Sequence, residues 1–98
     1  MGDKGDIESE VERIKDFIKE HPEFRKILRL AVEHERKGEG KEYYIGWEWS
    51  DVRCHPAKLV KCITNDICTI SYKSNRYTCY KLLNRKAVEI ALGMKEVN

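Results

Sequence analysis

Ile7, Val11, Ile14, Phe17 and Ile18 recur at helical spacing with charged residues in the gaps, which predicts a first helix over roughly residues 7–20. "HPE" stops it, because a proline disfavours helical backbone in the residue before it. Pro22 suits the first turn of a second helix, about residues 22–37. Phe24, Ile27, Leu28, Leu30, Ala31 and Val32 give that helix a wide apolar arc, so it is expected to be central. "KGEGK" ends it, with Gly38 read as a left-handed cap.

At "YYIGWEW" the period changes from helical to two. Tyr43, Ile45, Trp47 and Trp49 would then share one face of a short strand or extended segment. Ser50 is expected to cap a brief helix through "SDVRC". Pro56 opens the next helix, in "HPAKLVKCITND", with Ala57, Leu59, Val60 and Ile63 expected on its buried side and Asn65-Asp66 ending it. The strands 67–73 and 77–83 follow as a hairpin. A three-residue loop, Ser74-Asn75-Arg76, sets Cys68, Ile70, Tyr80 and Leu82 on one face. A loop one residue shorter would turn Tyr80 and Leu82 away from Ile70. "NRKAVEIALG" reads as a last short helix, with Asn84 as its cap, Ala87, Val88, Ala91 and Leu92 inward, and Gly93 as terminator.

Composition adds limits. Ninety-eight residues suffice for one domain, residues 1–98, with an adequate core. An apolar fraction of 41% against a charged fraction of 37% describes a soluble globular protein, and no apolar run is long enough for a membrane span. "MGDKGDIESE" lacks an apolar signal core and reads as a frayed lead-in, which makes the cytoplasm the expected location. Lysine and glutamate are abundant and glutamine is absent, a balance that leans towards a thermophile.

Charge is the more telling quantity. The net charge of +2 hides an asymmetry. Residues 1–42 carry 10 basic and 12 acidic groups, net −2. Residues 53–86 carry Arg53, Lys58, Lys61, Lys73, Arg76, Lys81, Arg85 and Lys86 against Asp66 alone, net +7. A segment so biased predicts an acidic partner, the ordinary alternative being a basic solvated surface.

Candidate chemistry is sparse. Cys54, Cys62, Cys68 and Cys79 match no zinc-finger or ribbon spacing and contain no C-x-x-C pair, so they read as small buried side chains in a reducing compartment. The hairpin register sets Cys68 and Cys79 on opposite faces, which argues against a disulfide between them. Cys54-His55 is adjacent in sequence and has no third residue to orient it as a nucleophile–base pair. "EHERKG" around His34 lacks the second histidine of a zinc protease helix, and "GEGK" lacks the strand and Ser/Thr of a phosphate loop. Neither a cofactor, a metal nor a catalytic function is expected. Trp47 and Trp49 can stack on bases or build the core, and Trp49 is expected in the core.

The order of long helix, short strand, short helix, second helix, hairpin and helix resembles the winged helix-turn-helix domain over about residues 22–92, of the kind found in archaea and their viruses. The most specific stretch is "HPAKLVKCITNDICTISYKSNRYTCYKL", a helix running through a turn into a strand, a basic loop and a second strand. Asn65-Asp66 stand where a glycine is common in such domains. The resemblance implies an α+β fold with an extra N-terminal helix, 7–20, and a C-terminal helix. It also implies double-stranded DNA as the partner, in a transcriptional regulator or DNA-binding module. The helix after Pro56 would enter the major groove and present Arg53, His55, Lys58 and Lys61. Lys73, Ser74, Asn75 and Arg76 would form a wing tip on phosphate, with Tyr77 beside it. No Arg, Asn or Gln precedes Asn65 on that helix to make bidentate base contacts, so backbone contacts are expected to dominate. Two further readings stand beside this one: a winged-helix protein–protein module of a replication or transcription assembly, and an RNA or single-stranded DNA binder using its aromatics. Helix 7–20 would serve a homodimer or a larger protein partner, or pack on helix 22–37.

Overall fold

The computed structural model describes residues 3–94. They form five helices and one two-stranded antiparallel sheet, an α+β arrangement: α1 (Asp3–Glu20), α2 (Phe24–Gly38), α3 (Trp49–Val52), α4 (Pro56–Thr64), β1 (Cys68–Lys73), β2 (Thr78–Leu82) and α5 (Arg85–Leu92). The helices and the hairpin follow the expected order, but the short strand expected before α3 is reduced to a single bridge at Trp47; the layout is compatible with a winged-helix arrangement.

Several boundaries differ for identifiable reasons. α1 begins at Asp3 rather than Ile7; Val11 and Ile14, both buried, supply a packed nucleus, and extending a helix from a nucleus is cheap. Met1 and Gly2, at the start of the expected lead-in, and residues 95–98 lie outside the described residues. Pro22 stands in the turn between α1 and α2, not inside α2. There the Phe24 N–H bonds to the His21 carbonyl at 2.9 Å and the Arg25 N–H to the Pro22 carbonyl at 3.1 Å. Gly38 is the last helical residue and not a left-handed cap; the positive-φ glycines are Gly40, Gly46 and Gly93. Gly38 is needed for closeness: a Cβ there would meet the Tyr44 ring at 2.3 Å.

The extended segment before α3 is more irregular than an alternating strand. Trp47 is buried, whereas Tyr43, Ile45 and Trp49 are exposed. Trp49 therefore does not join the core; it opens α3, whose cap is Glu48 rather than Ser50, with the Asp51 carboxylate accepting the Glu48 N–H at 2.9 Å. Only Trp47 pairs with the sheet. Its N–H and C=O exchange bonds with Tyr80 at 2.9 and 2.8 Å, on the edge of β2 away from β1. The Trp47 indole also stacks on the Tyr80 ring, 5.3 Å between centroids. Gly46 makes this approach possible. Its φ is +128°, and a Cβ would lie 2.5 Å from both the Ser71 hydroxyl and the Tyr80 carbonyl.

The hairpin keeps the expected pairing at its base, Cys68 with Leu82 and Ile70 with Tyr80, and changes it near the tip, where Tyr72 pairs with Cys79 and Lys73 with Thr78. The loop is thus one residue shorter than expected: the Ser74 N–H bonds to the Tyr77 carbonyl at 2.9 Å, leaving Asn75-Arg76 at the tip. A bulge at Ser71 absorbs the difference, so the base register survives the shorter turn. Ser71 uses its bulged position to donate its hydroxyl to the Ile45 carbonyl. Cys79 faces away from Tyr80 and is buried too.

Glu35 on α2 joins these parts. It is the one buried charged side chain among the described residues, and its Oε2 accepts both the Trp47 indole N–H at 2.9 Å and the Leu82 backbone N–H at 2.7 Å. The Leu82 N–H points to the same edge of β2 as that of Tyr80. The bridge to Trp47 is antiparallel, so Leu82 lies on its Ile45 side, where the Ile45 carbonyl is taken by the Ser71 hydroxyl and no strand pairs with this edge of β2. An unsatisfied buried N–H costs about 1–3 kcal/mol, and the carboxylate removes that cost.

α5 is tied to α2 by Arg36–Glu89 at 3.1 Å and by Arg85, which reaches Glu39 at 3.0 Å and Glu89 at 3.6 Å. α1 packs chiefly against α5, burying Val11, Ile14, Phe17 and Ile18. The apolar face expected to serve a homodimer or larger partner is therefore covered by the chain itself. From the same helix, Arg13 donates to the carbonyls of Asn65 and Asp66 at the end of α4.

Replacing Glu35 tests the clamp. Glu35→Ala should lose about 3 kcal/mol of unfolding free energy, since two charge-assisted hydrogen bonds disappear and two donors are stranded. Glu35→Gln keeps one acceptor oxygen and should lose less. Urea denaturation followed by tryptophan fluorescence measures both; equal, sub-kilocalorie losses would show that the carboxylate is not a clamp.

Candidate nucleic-acid interface

α4 is fixed at both ends before any partner is considered. Pro56 occupies its first turn, and the His55 Nδ1 accepts the Ala57 N–H at 3.1 Å. His55 thus acts first as a cap, its Nδ1 serving as the acceptor. At the far end the Asn65 side-chain amide donates to the Lys61 carbonyl at 2.8 Å. Arg13 holds the carbonyls of Asn65 and Asp66, and Asp66 takes a left-handed φ of 57°.

Leu59 and Cys62 are buried and Ile63 is half-buried. Ala57 and Val60, expected inward, are exposed, Val60 by 54%. The outward arc of α4 is therefore Ala57, Val60, Lys61 and Thr64. The signal for this lay in the spacing Leu59-Cys62-Ile63, which is helical once Cys62 counts as apolar. The remaining apolar residues, Ala57 and Val60, fall on another arc.

Cations sit around this helix. Arg53 caps α3 in left-handed backbone, φ 57° and ψ 45°, a conformation costing a non-glycine residue about 1–2 kcal/mol. Lys58 is engaged: it lies 3.4 Å from Glu23 and 6.0 Å from the Phe24 ring centre. Lys58 helps hold the Glu23 carboxyl below its ordinary range, after a backbone hydrogen bond of Glu23 itself. Arg53, His55 and Lys58 share an open groove of about 360 Å³ with Lys26, Ile27, Leu30 and Val52. The sequence reading missed Lys26, because it belongs to α2, far away in the chain.

The hairpin tip holds the other group. Lys73, Asn75, Arg76 and Tyr77 are exposed. Ser74 is half-buried and its hydroxyl accepts the Arg76 and Tyr77 N–H groups at 3.2 and 3.3 Å. Its hydroxyl shapes the turn. The Tyr77 ring lies 5.7 Å from that of Tyr72. Among the described residues, Arg53, Lys61, Lys73 and Arg76 have no carboxylate in ion-pair reach, unlike Lys58 and Arg85. Lys81 instead lies 5.5 Å over the Tyr44 ring. The structure thus gathers Arg53, His55 and Lys58 at the start of α4, Lys61 on its outward arc, and Lys73 to Tyr77 at the hairpin tip.

All four cysteines are buried and unpaired. The Cys62 thiol is pushed up by its hydrogen bond to the Cys68 thiol and then by burial; burial comes first for Cys54 and Cys79. Tyr44 is likewise raised, by burial and then by the charge of Glu35. No three Cys, His, Asp or Glu side chains among the described residues could together hold a metal ion, and no described helix is long and apolar enough to cross a membrane. No family model, curated protein or solved structure matches the chain.

The raised thiols predict how stability depends on pH. Above about pH 8.5 unfolded cysteines ionise while Cys54, Cys62 and Cys79 stay protonated in the fold, so the unfolded state holds fewer protons and stability falls as pH rises. Denaturation midpoints should be flat between pH 7 and 8 and decline above that. Alanine at Cys62 should flatten part of the decline, and an unchanged slope would show that the thiols are not its source.

Proposed function

We propose that this protein binds double-stranded DNA as a winged-helix module, with α4 in the major groove and residues 73–77 on the phosphate backbone. The observation that carries the reading is the distribution of unpaired cations. Acidic groups from the first half of the chain neutralise Lys58 and Arg85, whereas Arg53, Lys61, Lys73 and Arg76 remain free around α4 and at the hairpin tip. Unpaired cations on a short, rigid turn give little to folding stability. Held in place, they suit phosphate. The arrangement of Trp47 beside β2 and β2 beside β1, following α3 and α4, supports the winged-helix reading.

A second reading, a protein-interaction module, is favoured by β1. It lies at the sheet edge, and Thr69 to Lys73 are all exposed, including Ile70 and Tyr72. Such an edge can accept a further strand.

Fluorescence anisotropy with a labelled random-sequence duplex, titrated at several salt concentrations, separates the two. Four phosphate contacts predict that log K falls against log salt with a slope of about −3 to −4. Arg76→Ala and Lys73→Ala should each reduce the slope by about one without changing the fold. No binding at low salt would overturn the DNA reading.

A further inference from the structure

We infer that the outward arc of α4 reads the C5-methyl groups of thymine, so that the preferred ligand is duplex DNA with thymines clustered in the major groove. This inference rests on the duplex-DNA reading above and says what that surface would select. Ala57, Val60, Lys61 and Thr64 lie at intervals of three, one and three residues, which sets them on one helical arc. All four are exposed, Val60 by 54%. Only Lys61 among them is charged. Asn65, the one amide near this arc, already donates its N–H to the Lys61 carbonyl. Besides the Lys61 ammonium and the Thr64 hydroxyl, the groups on this arc that can meet base edges are methyls: one from Ala57, two from Val60 and one from Thr64.

In the major groove, methyl groups distinguish bases in one way. Thymine alone presents its own methyl, and alanine and threonine methyls are among the groups that pack against it. Lys61 beside Val60 can reach phosphate or a guanine edge, but the apolar part of the arc has no hydrogen bond to offer. The helix is also held firmly enough to present these groups in one geometry. His55 caps its start, Asn65 and Arg13 hold its end, and Leu59 and Cys62 anchor its back. Val60 has no role in the core, so its substitution leaves folding intact.

The test compares short duplexes of one alternating A·T sequence made with thymidine or with deoxyuridine, which deletes the methyl and keeps every hydrogen-bonding group. A G·C duplex with cytosine or 5-methylcytosine is measured alongside. Burying one methyl against another side chain is worth about fourfold in affinity. Thymidine should therefore bind about four- to tenfold tighter than deoxyuridine, and 5-methylcytosine should tighten binding in the same direction. The salt slope should not change, because the phosphates are untouched. Val60→Ala should remove most of the discrimination while retaining binding to the uracil duplex. Equal affinity for thymidine and deoxyuridine duplexes would overturn the methyl contact and leave DNA binding standing. A thymidine preference without a gain from 5-methylcytosine would overturn it in favour of duplex shape. Failure to bind any of the duplexes would overturn the DNA reading and this inference together.

Discussion

The Glu35 carboxylate ties the central helix to two parts of the chain that already meet each other, Trp47 and β2. It belongs to the central helix α2, yet both its partners lie beyond the turn, one on the Trp47 indole and one on the backbone of β2. A sheet of two strands has a free inner edge, and Trp47 covers that edge for only one residue, leaving Leu82 on the Ile45 side of the antiparallel bridge without a strand partner. The carboxylate completes the edge in place of a third strand. A charge is costly to bury unless it is fully hydrogen-bonded; here two donors converge on one oxygen. The consequence reaches α4, since Trp47 enters α3 within two residues and α3 leads through Arg53-Cys54-His55 into α4. Fixing Trp47 fixes the start of the helix that carries the candidate interface.

Thiols let α4 lie close to its neighbours. Cys62 on α4, Cys68 at the start of β1 and Cys54 before the helix are all buried. A thiol is about as small as a buried side chain can be while still filling space, and it makes only a weak hydrogen bond. Larger residues at these positions would push α4 off the sheet and lengthen the turn at Asn65-Asp66. That turn has little slack, because Arg13 from α1 grips its carbonyls. The N-terminal helix thus contributes to the placement of α4 as well as to the core.

Much of the fold was legible in the sequence because local patterns decide it. The periodicities of α1 and α2, Pro56 at a helix start, the Asn84 cap and the Gly93 terminator are local, and each has its expected role. The base of the hairpin was legible too, because the apolar face constrains it. The tip was not, since a shorter turn with a bulge at Ser71 satisfies the same face as a longer turn without one. Trp49 and Val60 mark a second limit. An apolar side chain that fits a buried arc also fits an exposed one, and only the packing of Trp47 and Leu59 decides which residue is left outside. Glu35, Arg13 and Lys26 were beyond reach for a third reason. Their partners lie tens of residues away, and no local spacing records such a contact.

The charge asymmetry of the sequence changes meaning once the fold is known. The +7 of residues 53–86 is not all available, because Glu23 and Glu39 from the acidic half fold back onto Lys58 and Arg85. Folding therefore removes charge from the side of α4 that faces α2 and from α5. It leaves charge on the outward face of α4, at its entry and at the hairpin tip. A uniformly basic surface would attract any polyanion by its long-range field and release it as salt rises. A few cations around an apolar arc behave differently. The cations supply an attraction that salt weakens, and the arc supplies a short-range contact that salt does not. For such a surface affinity and selectivity reside in different residues. If the partner is the duplex proposed above, Lys73 and Arg76 would bear on how tightly it is held, and Ala57, Val60 and Thr64 on which duplex it is.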